Sequence, residues 1–261
     1  MCSSDLSHWI GVGHSDIGLV RTMNQDRLAV LNERGFWAVA DGMGGHAGGE
    51  VAAQLSIDTA RHYLERATGP GRDTPASPQA ILQGLMAAAH ASVRESAAAS
   101  PALAQMGTTL VALLLTDQPE PVAHIAHMGD SRAYRFRENT LTLLTRDHTL
   151  IERYLALGVL TPAMARTHPE RHVLTKAVGF SSTAEPDIAS HPLLPGDLLL
   201  LCSDGLTKML TDEDIAVVLG QTGNHPAIAC QELIAAALSQ GGEDNVTVIV
   251  IGQTPRTAVP T

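Results

Sequence analysis

Three largely apolar runs in this chain end against an aspartate that sits beside a glycine: FWAVA before Asp41 and Gly42, VAHIAHM before Gly129 and Asp130, and LLLLCS before Asp204 and Gly205. Apolar runs this short, bounded by glycine or proline, read as buried strands. Two further acids stand where strands begin, Asp26 ahead of RLAVL and Asp244 ahead of NVTVIVI. Aspartate and glycine are ordinary turn residues, which accounts for any one of these positions but poorly for the set. If the strand ends converge, folding gathers several carboxylates into one partly buried region. There, like charges repel and raise one another's pKa unless something positive compensates them. Divalent cations are the natural compensation, and the acidic net charge of -10 is consistent with a cation site.

The ligand types narrow the ion. Carboxylates, backbone carbonyls and water form a hard, oxygen-rich set that suits Mg²⁺ or Mn²⁺ better than Zn²⁺. Glycine at position 42 lets the backbone approach an ion and offer its carbonyl oxygen. Two ions about 3.5–4 Å apart could hold a water, lower its pKa and aim it at phosphorus. The phosphate oxygens then call for an arginine, and Arg21, five residues before Asp26, supplies a guanidinium fork of matching geometry.

The rest of the chain bounds the fold. AYRFR and LTLLT alternate in the strand manner, whereas GGEVAAQLSIDTARHYLERA has helical spacing after its glycines. A polar segment, 68–77, leads to a second, alanine-rich helix predicted over 78–98, with no strand between the two. Strands then crowd 107–145, an irregular stretch covers 147–175, and a strand, two helices and a final strand follow. This clustering favours an α+β domain with largely antiparallel sheets over a βαβ series. One domain over 1–253 is expected, with a disordered tail at 254–261. With pI near 5.6 and no basic stripe, nucleic acid and anionic membranes are not expected partners. Cys2, Cys202 and Cys230 share no metal-binding spacing, and the apolar stretches are too short to span a bilayer, so a cytoplasmic location is expected.

Eight motifs in order carry a family resemblance: RTMNQD (21–26), ADGMGGH (40–46), MGTT (106–109), GDSR (129–132), DHT (147–149), AVG (177–179), SDGL (203–206) and EDNVTVIV (243–250). Together they resemble the metal-dependent protein phosphatase family, type 2C, in its bacterial branch. The resemblance implies a four-layer α/β/β/α sandwich of two antiparallel sheets flanked by helices, with a flap at about 150–175. It implies that Asp41 bridges two Mn²⁺ or Mg²⁺ ions, that the Gly42 carbonyl binds one, and that Asp204 and Asp244 hold the other. Asp26 would act through water, Asp130 would share a third, weaker ion with Asp204, and Arg21 would hold the substrate phosphate. Phosphoserine and phosphothreonine proteins would be the substrates, an opposing bacterial Ser/Thr kinase the functional partner, and a monomer the expected state. Animal members place histidine directly after the Asp-Gly pair. Here Met43 and Gly44 follow, and His46 lies further on, so the proton-donor role is not transferred to it. Gln25 likewise replaces a glutamate common in the family.

Two rival readings are weaker. GMGGHA fits a dinucleotide-binding fingerprint, but a pyrophosphate would sit beside Asp41, and a helix follows where that fold needs a strand. A non-catalytic phosphatase-like module should have lost metal ligands, whereas Asp41, Asp204 and Asp244 are all present. His124 and His127, three apart on a strand, should face opposite sides and share no metal.

Overall fold

The apolar runs lie inside two antiparallel sheets, and they are largely apolar because both faces of each are covered. The computed structural model of the chain describes residues 9–44, 48–68, 76–117, 120–166, 168–180 and 185–253; the 254–261 tail and His46 lie outside them. One sheet runs in the order β1 (Trp9–Asp16), β11 (Val246–Gln253), β10 (Leu198–Cys202), β7 (Arg132–Arg137), β8 (Thr140–Leu143). The other runs β2 (Asp26–Leu31), β3 (Phe36–Met43), β5 (Leu110–Thr116), β6 (Val122–Met128), β9 (Asp187–Pro192), with the two-residue β4 (Gly107–Thr108) paired to the end of β3.

Alternation along each strand assigns its side chains to different layers. On β5, Leu110, Ala112 and Leu114 pack with α1 (Gly48–Thr68) and α2 (Pro78–Ala99), while Val111, Leu113 and Leu115 enter the space between the sheets. On β11, Val246, Val248 and Val250 pack with α6 (Asp212–Thr222) and α7 (Pro226–Ser239), while Ile249 and Ile251 face the other sheet. Three apolar layers therefore separate four layers of structure, giving the α/β/β/α sandwich that the motifs imply. Helix boundaries follow ordinary capping chemistry. The Ser77 hydroxyl accepts the Ala80 amide ahead of Pro78, and Thr211 and Asp214 form a reciprocal capping box.

Some details differ from the sequence expectation. The irregular stretch 147–175 contains two short helices, α3 (Leu150–Ala156) and α4 (Pro162–Arg166). Strands β1 and β9, which the apolar pattern does not mark, complete the edges of the two sheets. Strand β3 also runs on through Asp41 to Met43, because β4 supplies a partner there. Among the described residues, no helix is long and apolar enough to cross a membrane.

Candidate active site

Antiparallel pairing of β2 with β3 sets Asp26 directly opposite Asp41. Asp130 follows β6, Asp204 opens the single-turn helix α5 (Asp204–Thr207) after β10, and Asp244 precedes β11. Asp41, Asp130, Asp204 and Asp244 line one region with Arg21, and Asp26 lies buried beside Asp41. Two clefts, of about 630 and 690 Å³, meet there and share Arg21, Asp130, His172, Asp204, Lys208 and Asp244. Ile151, Leu155 and Pro162 from the 150–175 segment wall one cleft, and Phe180 and Leu174 the other.

The electrostatics are those of crowded, desolvated carboxylates. Burial, followed by the charges of Asp204 and Asp244, pushes Asp26 up to about 7 against the nearby hydroxyls of Thr247 and Ser203, which favour its ionised form. Burial also drives Asp41 well above the carboxylate range, reinforced by Asp26, Asp204, Asp130 and Asp244. Asp130 is raised to about 7 by burial and by its acidic neighbours Asp204 and Asp147. Asp244 moves the other way: burial opposes its ionisation, but Lys208 and Arg21 outweigh that and hold it below the usual range. Arg21 grips Asp244 through Nε and Nη2, at 2.8 and 3.0 Å. Lys208 Nζ lies 2.6 Å from Asp204 Oδ2 and 2.8 Å from Asp244 Oδ2.

The donor set fits hard divalent cations. Among the described residues, Asp26 Oδ1 and Asp204 Oδ1 are buried with no hydrogen-bond partner, a costly state that an oxygen-seeking ion would relieve. Neighbours hold Asp26 Oδ2 and the Asp41 backbone. The Ser203 hydroxyl donates to Asp26 Oδ2 at 2.7 Å and accepts the Thr247 amide at 3.0 Å. The Asp41 carbonyl accepts from the Thr109 amide and the Thr108 hydroxyl at 2.9 and 2.8 Å, and the Asp41 amide donates to Thr109 Oγ1 at 3.0 Å. Asn245 ties the Arg21 loop to β11, its amide group donating to the carbonyls of Ile17 and Met23.

Glycine 42 has a packing reason that the sequence reading did not contain. A Cβ there would fall 2.1 Å from the Gly49 carbonyl oxygen and 2.7 Å from that of Gln25, so the first turn of α1 can sit against β3 only over a glycine. Sequence reasoning also gave no role to Ser203, Thr108, Thr109, Asn245 or Lys208. The first four stand inside the quoted motifs, and Lys208 is four residues after Asp204, the spacing of neighbours on a helix.

His124 and His127 do face opposite ways. His124 bonds Ser190 at 2.8 Å, and His127 stacks on His148 with ring centroids 4.6 Å apart. With Asp187, the His127 and His148 pair places possible ligand atoms within 4.8 Å of one another. Hydrogen bonding argues against a metal there. His148 Nδ1 accepts the Gly129 amide, so Nε2 carries the proton of the neutral ring, and His127 Nε2 donates to the Arg146 carbonyl. Together with the His148 amide, which donates to the Gly129 carbonyl at 3.0 Å, this network fixes the loop that presents Asp130.

Residues 10–239 match the family model for protein phosphatase 2C. The chain belongs to the protein phosphatase 2C family. It is 38% identical over 238 residues to the serine/threonine protein phosphatase PstP of Mycobacterium tuberculosis, covering 90% of this chain and 43% of PstP, so it spans less than half of that relative's length. The serine/threonine phosphatase stp of Listeria welshimeri is 32% identical over 240 residues, covering 91% of this chain and 93% of stp. Among solved structures, the catalytic domain of serine/threonine protein phosphatase PstP in complex with two manganese ions superposes with a TM-score of 0.80 at 34% identity, covering 95% of this chain and 99% of that one. The two antiparallel sheets flanked by helices are thus the protein phosphatase 2C fold, and the dinucleotide-binding alternative has no place in it.

Proposed function

We propose that this protein phosphatase 2C-family chain hydrolyses phosphoserine and phosphothreonine in proteins, with Mn²⁺ or Mg²⁺ bound among the strand-end acids. The observation that carries the reading is the meeting of five aspartates from separate strand ends, two of which hold a buried carboxylate oxygen with no partner among the described residues. Asp41 and the Gly42 carbonyl, with Asp204 and Asp244, would hold two ions. Asp26 stands beside Asp41, and Asp130 with Asp204 would take a third, weaker one. When bound, the ions supply Lewis acidity toward the phosphoryl group and a water whose pKa is lowered toward neutrality.

The chain's own residues do the rest. Ser203 fixes one Asp26 oxygen by donating to it, which leaves Oδ1 without a partner among the described residues. Thr108 and Thr109 hold the Asp41 backbone from two sides. Arg21 is half exposed and grips Asp244 through Nε and Nη2, which leaves Nη1 to donate to an oxygen of a phosphate monoester. The two clefts that meet at the acids give room for the chain on both sides of a phosphorylated residue. Such an activity implies an opposing Ser/Thr kinase, and we place the protein in the cytoplasm as a monomer.

The test is phosphate release from phosphoserine and phosphothreonine peptides by purified protein in Mn²⁺, in Mg²⁺ and in chelator. Turnover in either metal, its loss in chelator, and a drop of at least about a hundredfold in folded Asp41→Asn and Asp204→Asn are expected. Peptide binding without turnover in any metal would instead favour a non-catalytic module.

A further inference from the structure

Arginine outnumbers lysine in this chain by fifteen to two, and one of the two lysines, Lys208, lies inside the acidic cluster. Its Nζ bridges Asp204 Oδ2 and Asp244 Oδ2 at 2.6 and 2.8 Å, with only 25% of the side chain exposed. A Lys208–Asp204 pair four residues apart would by itself be an ordinary helix-surface contact of slight value. Asp244, however, is 36 residues away and enters from the start of β11, so the ammonium joins two separate parts of the fold. Lysine suits that position in a way arginine does not. It is a compact point charge with no planar fork, the nearest a side chain comes to a small cation.

Arg21 already satisfies Asp244 from its other side, through Nε on Oδ1 and Nη2 on Oδ2. Asp204 differs, because Oδ2 has Lys208 while the buried Oδ1 has no partner among the described residues. An ion that takes the open Asp204 Oδ1 together with an oxygen of Asp244 therefore lands beside the ammonium that bridges the two acids, and its charge repels the ammonium there.

We propose that Lys208 is an internal counter-ion that holds Asp204 and Asp244 together in the metal-free protein and must be displaced from them when a divalent ion binds, so that it sets the metal affinity of the centre. This rests on the metal-centre reading above. Removing the ammonium should tighten metal binding, loosen the metal-free fold, and leave the ion-bound fold little changed.

Calorimetric titration of chelator-stripped wild type and Lys208→Met with Mn²⁺ tests this directly. About tenfold tighter binding by the variant is expected, equivalent to about 1.4 kcal/mol. A larger Mn²⁺-induced rise in melting temperature should accompany it. Equal or weaker binding by a folded variant overturns the proposal while leaving the metal centre intact; no binding by the wild type overturns both. Should Lys208→Met fail to fold, the wild type still answers. Acetylation by an amine-reactive ester, read by peptide mass spectrometry with Lys176 as internal reference, should accelerate at Lys208 when Mn²⁺ is added. An unchanged or slower rate at Lys208 overturns the displacement.

Discussion

Replacing Asp26 by asparagine in the metal-free protein should stabilise it progressively as pH rises, and the size follows from the site. Asp26 is 2% exposed and its carboxyl is pushed up to about 7, whereas the unfolded chain ionises it near 3.8. The sign is that of an acid raised by folding. Its stabilising contribution is fully present below the unfolded value and is lost as pH climbs through the folded one. Between about pH 5 and pH 8 the unfolded carboxyl is ionised throughout, while the native one goes from protonated to ionised. At about 1.4 kcal/mol per pH unit over roughly the two units below its folded pKa, wild type loses about 3 kcal/mol that the asparagine variant does not. Asparagine keeps an oxygen to accept the Ser203 hydroxyl, so the comparison isolates the charge. The histidines lowered by burial, His148 to about 4 among them, lose stability as pH falls, but they are common to both proteins and cancel in the difference. The assay is urea unfolding of both chelator-treated proteins from pH 5 to pH 8, read as the variant-minus-wild-type difference. A difference that stays flat, or that moves against the variant with rising pH, would refute the claim that this carboxylate is buried among like charges.

Two further substitutions probe the scaffold of the site. Gly42→Ala drives a methyl group into the backbone oxygens of Gly49 and Gln25, which cannot swing aside as a side chain would, so a loss of about 3 kcal/mol or more is expected in thermal or denaturant unfolding. Unaltered stability would mean that α1 does not rest on β3 as described. Arg132→Lys removes a fork that meets both oxygens of Asp147 at 2.9 and 2.7 Å and also reaches the Tyr134 hydroxyl at 2.9 Å. A lysine ammonium cannot make all three contacts, so denaturant unfolding should show a loss of about 1–3 kcal/mol.

The parts of this fold that could be read from sequence are those where one physical demand governs a whole stretch. LLLLC and VTVIVI face helices on one side and the other sheet on the other, so nearly every position is apolar and the strand declares itself. The strand-end acids stood out for the converse reason, since a carboxylate beside such a run demands an explanation that a solvated loop does not. The edge strands β1 and β9 meet neither condition. β9 pairs only with β6 and leaves most of its residues partly or fully exposed, and β1 mixes glycine, histidine and aspartate along a single partner. Backbone hydrogen bonds, which leave no mark on composition, pair each of them to its sheet. The same limit separates the acids from the residues that position them. Nothing in the neighbourhood of Ser203, Asn245 or Lys208 along the chain foretells contact with Asp26, with the Ile17 and Met23 carbonyls, or with Asp244, because each partner lies between 36 and 228 residues away. Ligand identity was written locally, at strand ends, while ligand geometry is set by contacts that exist only once both sheets have closed on one another.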